Sequence, residues 1–208
     1  MEKEKLKHPI SRSWGYSDYR NFVIQLSESK STSGVEQSIE RIEATKLNAQ
    51  RMKRIDKQIV IGKDLSDLIK RVNQKWNWLV IAESWCGDGA QNLPVISKMG
   101  SLNVNIDLKI ILRDENPEIM DKNLTNGARS IPILICTDEI SGDKIGIWGP
   151  RPKQIAEKVK EFKSANPNIS HHEFVKNVHL WYAQDKGESI QNDFLKLIPA
   201  WENNSISG

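Results

Sequence analysis

A chain of 208 residues, 38% hydrophobic and 27% charged, has the composition of an ordinary globular protein with room for one enlarged domain or two small ones. That excludes wholesale disorder, collagen-like repeats and coiled coil. Its longest apolar run, residues 78–82, falls far short of the ~20 residues of a membrane helix, two cysteines cannot build a disulfide scaffold, and a net charge of +3 does not call for nucleic acid.

The opening octet, Met1 to His8, alternates lysine and glutamate and has no apolar core that would act as a signal peptide. The expected setting is therefore cytoplasmic, with reduced thiols and no membrane partner. Tyr16, Tyr19, Phe22, Val23 and Leu26 recur at helical spacing, with Ser17 as a plausible cap. The serine-rich stretch 27–38 reads as a loop between two helices. Ile39, Ile42, Ala49, Met52, Ile55 and Ile59 then line one face of a long amphipathic helix. Its other face carries Arg51, Lys53, Arg54 and Lys57, read as solvated rather than as an anion-binding patch.

From about residue 64 helices and strands alternate. A helix at 64–72 precedes an apolar strand at 78–82, a helix at 90–99 interrupted by Pro94, a strand at 106–112 and a helix at 117–124 stopped by Asn126-Gly127. A strand at 131–136 and a hairpin through Ser141-Gly142-Asp143 lead to a strand at 144–148. Helices at 153–162, 171–184 and 189–198 follow, the last two split by Gly187. This order predicts an α/β domain, a mixed sheet with helices on both faces, between N- and C-terminal helical extensions. The expected boundaries are 1–62, 63–165 and 166–208.

Trp85-Cys86-Gly87-Asp88-Gly89 sits where a buried strand ends and a helix begins. Pro94 lies eight residues beyond the cysteine, Ser130-Ile131-Pro132 enters a strand, and Asp114-Glu115-Asn116-Pro117 follows one. Together these resemble the thioredoxin-like superfamily over about half the chain. The combination of Trp85-Cys86-Gly87-Asp88, Gln91, Arg113 to Pro117, Leu124 to Gly127 and Trp148-Gly149-Pro150-Arg151-Pro152 resembles a bacterial subgroup of it without a resolving cysteine. The resemblance implies a thioredoxin-like fold, Cys86 as the active-site thiol, and a cis Pro132 that exposes the backbone of Ile131 to an extended peptide. Trp85, Gly87, Asp88, Gly89, Glu83, Arg129, Ile131 and Pro132 then line the site, Trp85 facing a peptide groove.

The residues make the same case for Cys86. A thiol at a helix N-terminus meets unpaired N–H groups and the positive end of the dipole, which favour thiolate. Asp88 and Glu83, if close, oppose this, and Arg129, which resembles an arginine many thioredoxins carry there, would partly offset them. Two departures from the resembled family stand out. Gly89 occupies the place of the resolving cysteine, and Val80 that of the buried acid that assists proton transfer. Cys136 is no substitute, because four strand residues carry it roughly 13 Å from Pro132, beyond the ~7 Å a disulfide spans. It reads as a buried strand residue. His171, His172 and His179 share a helix without a third ligand at metal spacing, so they read as surface histidines.

The leading expectation is a monothiol redox protein needing no cofactor. It would act on a protein or a small thiol or disulfide, with an external thiol such as glutathione completing turnover. The alternatives are a non-enzymatic protein-binding module on the same fold, and a peroxide sensor working through a sulfenic acid.

Overall fold

The apolar run of β1 (Trp76–Ala82) becomes the central strand, buried on both faces. The computed structural model describes residues 10–206, so the N-terminal octet lies outside it. β2 (Ile106–Leu112) pairs with β1 in parallel, β3 (Ile133–Asp138) antiparallel on its other side, and β4 (Lys144–Trp148) antiparallel outside β3. The order is β2-β1-β3-β4.

Side-chain alternation divides the core in two. Trp76, Trp78, Val80 and Ala82 of β1 share one cluster with Leu134 and Cys136 of β3. Leu79 and Ile81 face the other way with Ile133, Ile135 and Cys86. A parallel pair and a central strand that is apolar from Trp78 to Ala82 demand this two-sided cover. The backbone of Trp14 adds an antiparallel bridge to Ile110, closing part of the outer edge of β2.

Eight helices complete the described residues: α1 (Tyr16–Glu28), α2 (Ile39–Gln58), α3 (Lys63–Lys70), α4 (Gly87–Gly100), α5 (Pro117–Asp121), α6 (Lys153–Ala165), α7 (His171–Asp185) and α8 (Glu188–Ile206). No helix among the described residues is long and apolar enough to cross a membrane. The expected mixed sheet with helices on both faces and helical extensions at both ends is what forms.

The differences in detail have local causes. Gly15, not Ser17, caps α1. β3 starts at Ile133, after the Pro132 ring, which has no N–H to give a ladder. α4 starts at Gly87 and runs through Pro94, because Cys86 caps it with its own side chain. α8 continues eight residues past the expected end and through Pro199, because tertiary contacts reward those turns. Trp201 meets the rings of Trp76, Trp78 and Phe194 at centroid distances of 6.2, 6.2 and 5.7 Å. It also lies against Gly146 of β4, where any Cβ would collide with the indole.

Trp201 is thus the last large side chain to cover the sheet. Trp201→Ala is expected to lower unfolding stability by about 3–5 kcal/mol, the usual cost of emptying a buried aromatic site, read from urea denaturation.

Candidate functional site

β1 ends at Ala82, and Glu83-Ser84-Trp85 carries the chain to Cys86 at the N-cap of α4. The extended backbone there (φ −75°, ψ 111°) turns Sγ onto the first helical turn, where it accepts the Gly89 N–H at 3.3 Å. The thiol donates to the Ile131 carbonyl at 3.2 Å. The Ile131–Pro132 peptide is cis, and so is Gly149–Pro150. Gly149, at φ +125°, rests against the carbonyl of Pro132, where a Cβ would not fit. That turn delivers Arg151 to the site.

Cys86 is 7% exposed. Burial, with the Asp88 carboxylate second, pushes its thiol up to about 12; the Gly89 N–H and Arg151 act in the opposite direction. The helix-start position therefore does not make a thiolate at neutral pH here, because desolvation outweighs it. The resting group is a protonated thiol, consistent with its donation to Ile131.

Asp88 receives Arg151 through both carboxylate oxygens, at 2.8 and 2.7 Å, and Tyr182 donates its hydroxyl at 2.7 Å. Arg151 and Tyr182 are thus site residues that sequence reasoning missed. The signal for Arg151 was the Gly-Pro-Arg turn itself; for Tyr182, on a distant helix, there was none. Glu83 and Arg129 do not reach the thiol. Glu83 is buried, accepts from Ser33 Oγ and, at 2.9 Å, from the Asp114 N–H. Burial raises its pKa. Arg129 is exposed and pairs with Asp121.

The serine-rich stretch is a loop only over 29–38, since α1 takes in Ser27 and Glu28, and it proves to be a strap over the cysteine turn. Ser33 and Ser84 exchange hydrogen bonds, Ser33 N–H to Ser84 Oγ at 2.9 Å and Ser84 N–H to Ser33 Oγ at 2.8 Å. Thr32, Thr45 and Ser84 join their hydroxyls within 2.7 to 3.1 Å. Asn48 donates to the Ser84 carbonyl at 2.8 Å. Thr45 and Asn48, three apart and fully buried, stand on the inward face of α2. Two polar residues inside an apolar stripe were the available sign that this helix covers backbone rather than core.

α2 and α7 form the walls of a cleft of about 940 Å³ that opens beside Cys86, Gly87 and Ile131. Trp85 lines it, with the guanidinium carbons of Arg41 and Arg113 4.3 and 4.8 Å from its ring centroid. His179, read from sequence as a surface histidine, is instead packed on Gly87, where a Cβ would lie 2.6 Å from its ring. Its Nδ1 is 3.2 Å from Gln91 Nε2. Burial, then Arg51, Arg151 and Arg54, lowers its pKa to about 4, so it is neutral. The basic face of α2 also divides: Lys53 and Lys57 are exposed, whereas Arg51 turns in toward Gly87.

No second thiol is at hand. Gly89 provides none, and Cys136 belongs to the core on the opposite face of the sheet from Cys86. Val80, fully buried among apolar side chains, offers no proton.

The thiol should react slowly at neutral pH, because only a small fraction of it is thiolate there. Iodoacetamide alkylation of Cys86, followed by mass spectrometry, should climb about tenfold per pH unit from 8 to 10, without the levelling of an ordinary thiol near ~8.5. Asp88→Asn removes the nearby negative charge and frees Arg151, so alkylation at pH 8 should quicken about tenfold. A Cβ on Gly89 would lie 3.5 Å from Cys86 Cβ, inside the ~3.5–4.5 Å range of disulfides. Oxidised Gly89→Cys should accordingly show one titratable thiol in denaturant, that of Cys136; three would contradict the geometry.

Comparison with known proteins bears on the fold and the family. A structure of a protein of unknown function from Pseudomonas aeruginosa superposes with a TM-score of 0.54 at 19% identity, covering 76% of this chain and 84% of that one. An HIV epitope scaffold gives 0.53 at 16% identity, covering 89% and 98%. Likeness at those identities is one of fold. Among curated proteins none matches significantly. A family model described as thioredoxin matches residues 34–165, more than half of the chain, taking in α2 as well as the sheet and the cysteine turn. On that match, the chain belongs to the thioredoxin family.

Proposed function

We propose that the protein is a monothiol thiol–disulfide exchange protein acting through Cys86, with residues 63–165 as the thioredoxin-like core and the flanking helices as a cover over the thiol. The observation that carries this reading is the seat of the sulfur. It caps α4, takes the Gly89 N–H, and lies 3.2 Å from the Ile131 carbonyl beside Pro132, on the wall of an open cleft. A disulfide bound in that cleft would lie beside Cys86, which lines its wall. With few cysteines and no disulfide, the chain suits a reducing, cytoplasmic setting.

The step balances as ordinary exchange. Cys86 loses its proton to solvent, and its sulfur attacks one sulfur of a disulfide RS–SR′. A bond forms between Cys86 and RS, and R′S⁻ leaves with the electron pair and takes a proton. With no thiol at position 89, a low-molecular-weight thiol such as glutathione attacks the mixed disulfide, expelling Cys86. A second molecule of it resolves the resulting RS–SG, so that two glutathione thiols become one disulfide.

The covered, protonated thiol favours a second reading, a protein-binding module that uses the cleft without chemistry. The two separate cleanly. The folded chain incubated with oxidised glutathione should gain one glutathione on Cys86, measured by intact-mass and peptide mass spectrometry, and Cys86→Ser should gain none. No adduct on the folded chain, while the urea-unfolded chain modifies both cysteines, would overturn exchange in favour of binding.

A further inference from the structure

Five arginines line the cleft, and four of them are each paired with a carboxylate. Arg41 pairs with Glu36 at 2.9 Å, Arg113 with Asp114 at 2.8 Å, Arg129 with Asp121 at 2.6 Å and Arg151 with Asp88 at 2.7 Å. Arg51 is different. It donates to the neutral amide oxygen of Asn48 at 2.8 Å and has no carboxylate partner among the described residues. Its Nη1 lies 3.9 Å from where a Cβ on Gly87 would stand, at the first turn of α4 and one residue from the thiol.

The surroundings sharpen the imbalance. Arg54, nearly one turn along α2, adds a second positive charge, and with burial lowers the pKa of Arg51. His179 faces Arg51, Arg54 and Arg151 and is neutral. The carboxylate in this group, Asp88, is already taken by Arg151 and Tyr182. The remaining acids of the cleft stand on the first turns of α2 and the loop before it. There Glu36 meets Arg41, Glu40 meets His171 at 3.5 Å, and Glu43 meets Lys46 at 4.0 Å. A half-buried guanidinium without a counter-charge is costly, and its planar fork matches a carboxylate.

We propose that Arg51, with Arg54 behind it, holds the carboxylate of a small anionic disulfide or thiol whose sulfur lies against Cys86, so that the cleft selects anionic over neutral and cationic substrates. The proposal deepens the exchange reading of Cys86 and rests on it for the chemistry, but not for the binding. A cleft of about 940 Å³ accommodates such a molecule. The N–H groups at the start of α4 reinforce the same sign of charge.

Three disulfides of similar size test the selection on the full chain: dithiodiglycolate, hydroxyethyl disulfide and cystamine, which are anionic, neutral and cationic. The rate of adduct formation on Cys86 should be about tenfold higher for dithiodiglycolate than for hydroxyethyl disulfide, the worth of one charged hydrogen-bonded pair, and lowest for cystamine. Arg51→Gln should collapse the anionic-to-neutral ratio, and Arg51→Lys should retain part of it, each variant first confirmed folded by circular dichroism. Equal rates for all three in the parent chain would overturn the anion site while leaving exchange intact. A second arm needs no reactivity: calorimetric titration of dithiodiglycolate into Cys86→Ser, repeated in Cys86→Ser/Arg51→Gln. Binding lost in the double variant supports the anion site even where no disulfide reacts, the outcome that would sink the exchange reading alone. No binding to Cys86→Ser, together with no anionic preference, would overturn the proposal.

Discussion

The sulfur of Cys86 joins three parts of this molecule. It finishes the turn out of β1, caps α4 through the Gly89 N–H, and donates its S–H in a hydrogen bond to the carbonyl of Ile131 at the entry to β3. A helix must satisfy its first N–H groups somewhere, and here one is satisfied by the atom that would do chemistry. The same contact explains the electrostatics. A sulfur placed well enough to hydrogen-bond on both sides is also withdrawn from water. Desolvation then outweighs the favourable end of the helix, and the thiol is kept protonated.

Much of the rest of the chain serves to hold that turn and cover it. The strap at 32–34 and the inward polar face of α2 satisfy the backbone and hydroxyl of Ser84 with hydrogen bonds buried from solvent. Such networks hold geometry firmly because each member left unpaired would be costly. From the other side α7 lays His179 on Gly87 and brings Tyr182 to Asp88. The terminal helices are therefore part of the site. They bring arginines to one wall and leave one, Arg51, facing the thiol's neighbourhood with its charge unanswered.

The absence of a second thiol has a geometric side as well. Strand alternation sends Cys136 to the far face of the sheet, among the tryptophans, while Cys86 lies with Ile131, Ile133 and Ile135. The position that would resolve a mixed disulfide is held by Gly89, and a Cβ there has room. What separates this turn from one with two thiols is thus the identity of a residue, not a lack of room. An exchange reaction must borrow its second thiol from solution.

Local pattern carried a good part of this. The apolar run of β1, the 106–112 strand and the hairpin before 144 are legible because burial and turn chemistry act on neighbouring residues. The cysteine turn was legible because its residues are consecutive. What escaped was set by residues far apart in the chain. Arg151 meets Asp88 across 63 positions and Tyr182 meets it across 94. The ionisation of Cys86 depends on how completely those elements exclude water, a quantity without a signature in any single segment. His179 and Arg51 look like solvated residues on amphipathic helices, and only docking on Gly87 turns them inward. The sequence by itself determined the strand order's ingredients, the place of the thiol and the lack of a partner for it. The tertiary structure decided that the thiol is covered and protonated, and which charges surround it, because desolvation and charge pairing are properties of assembled surfaces.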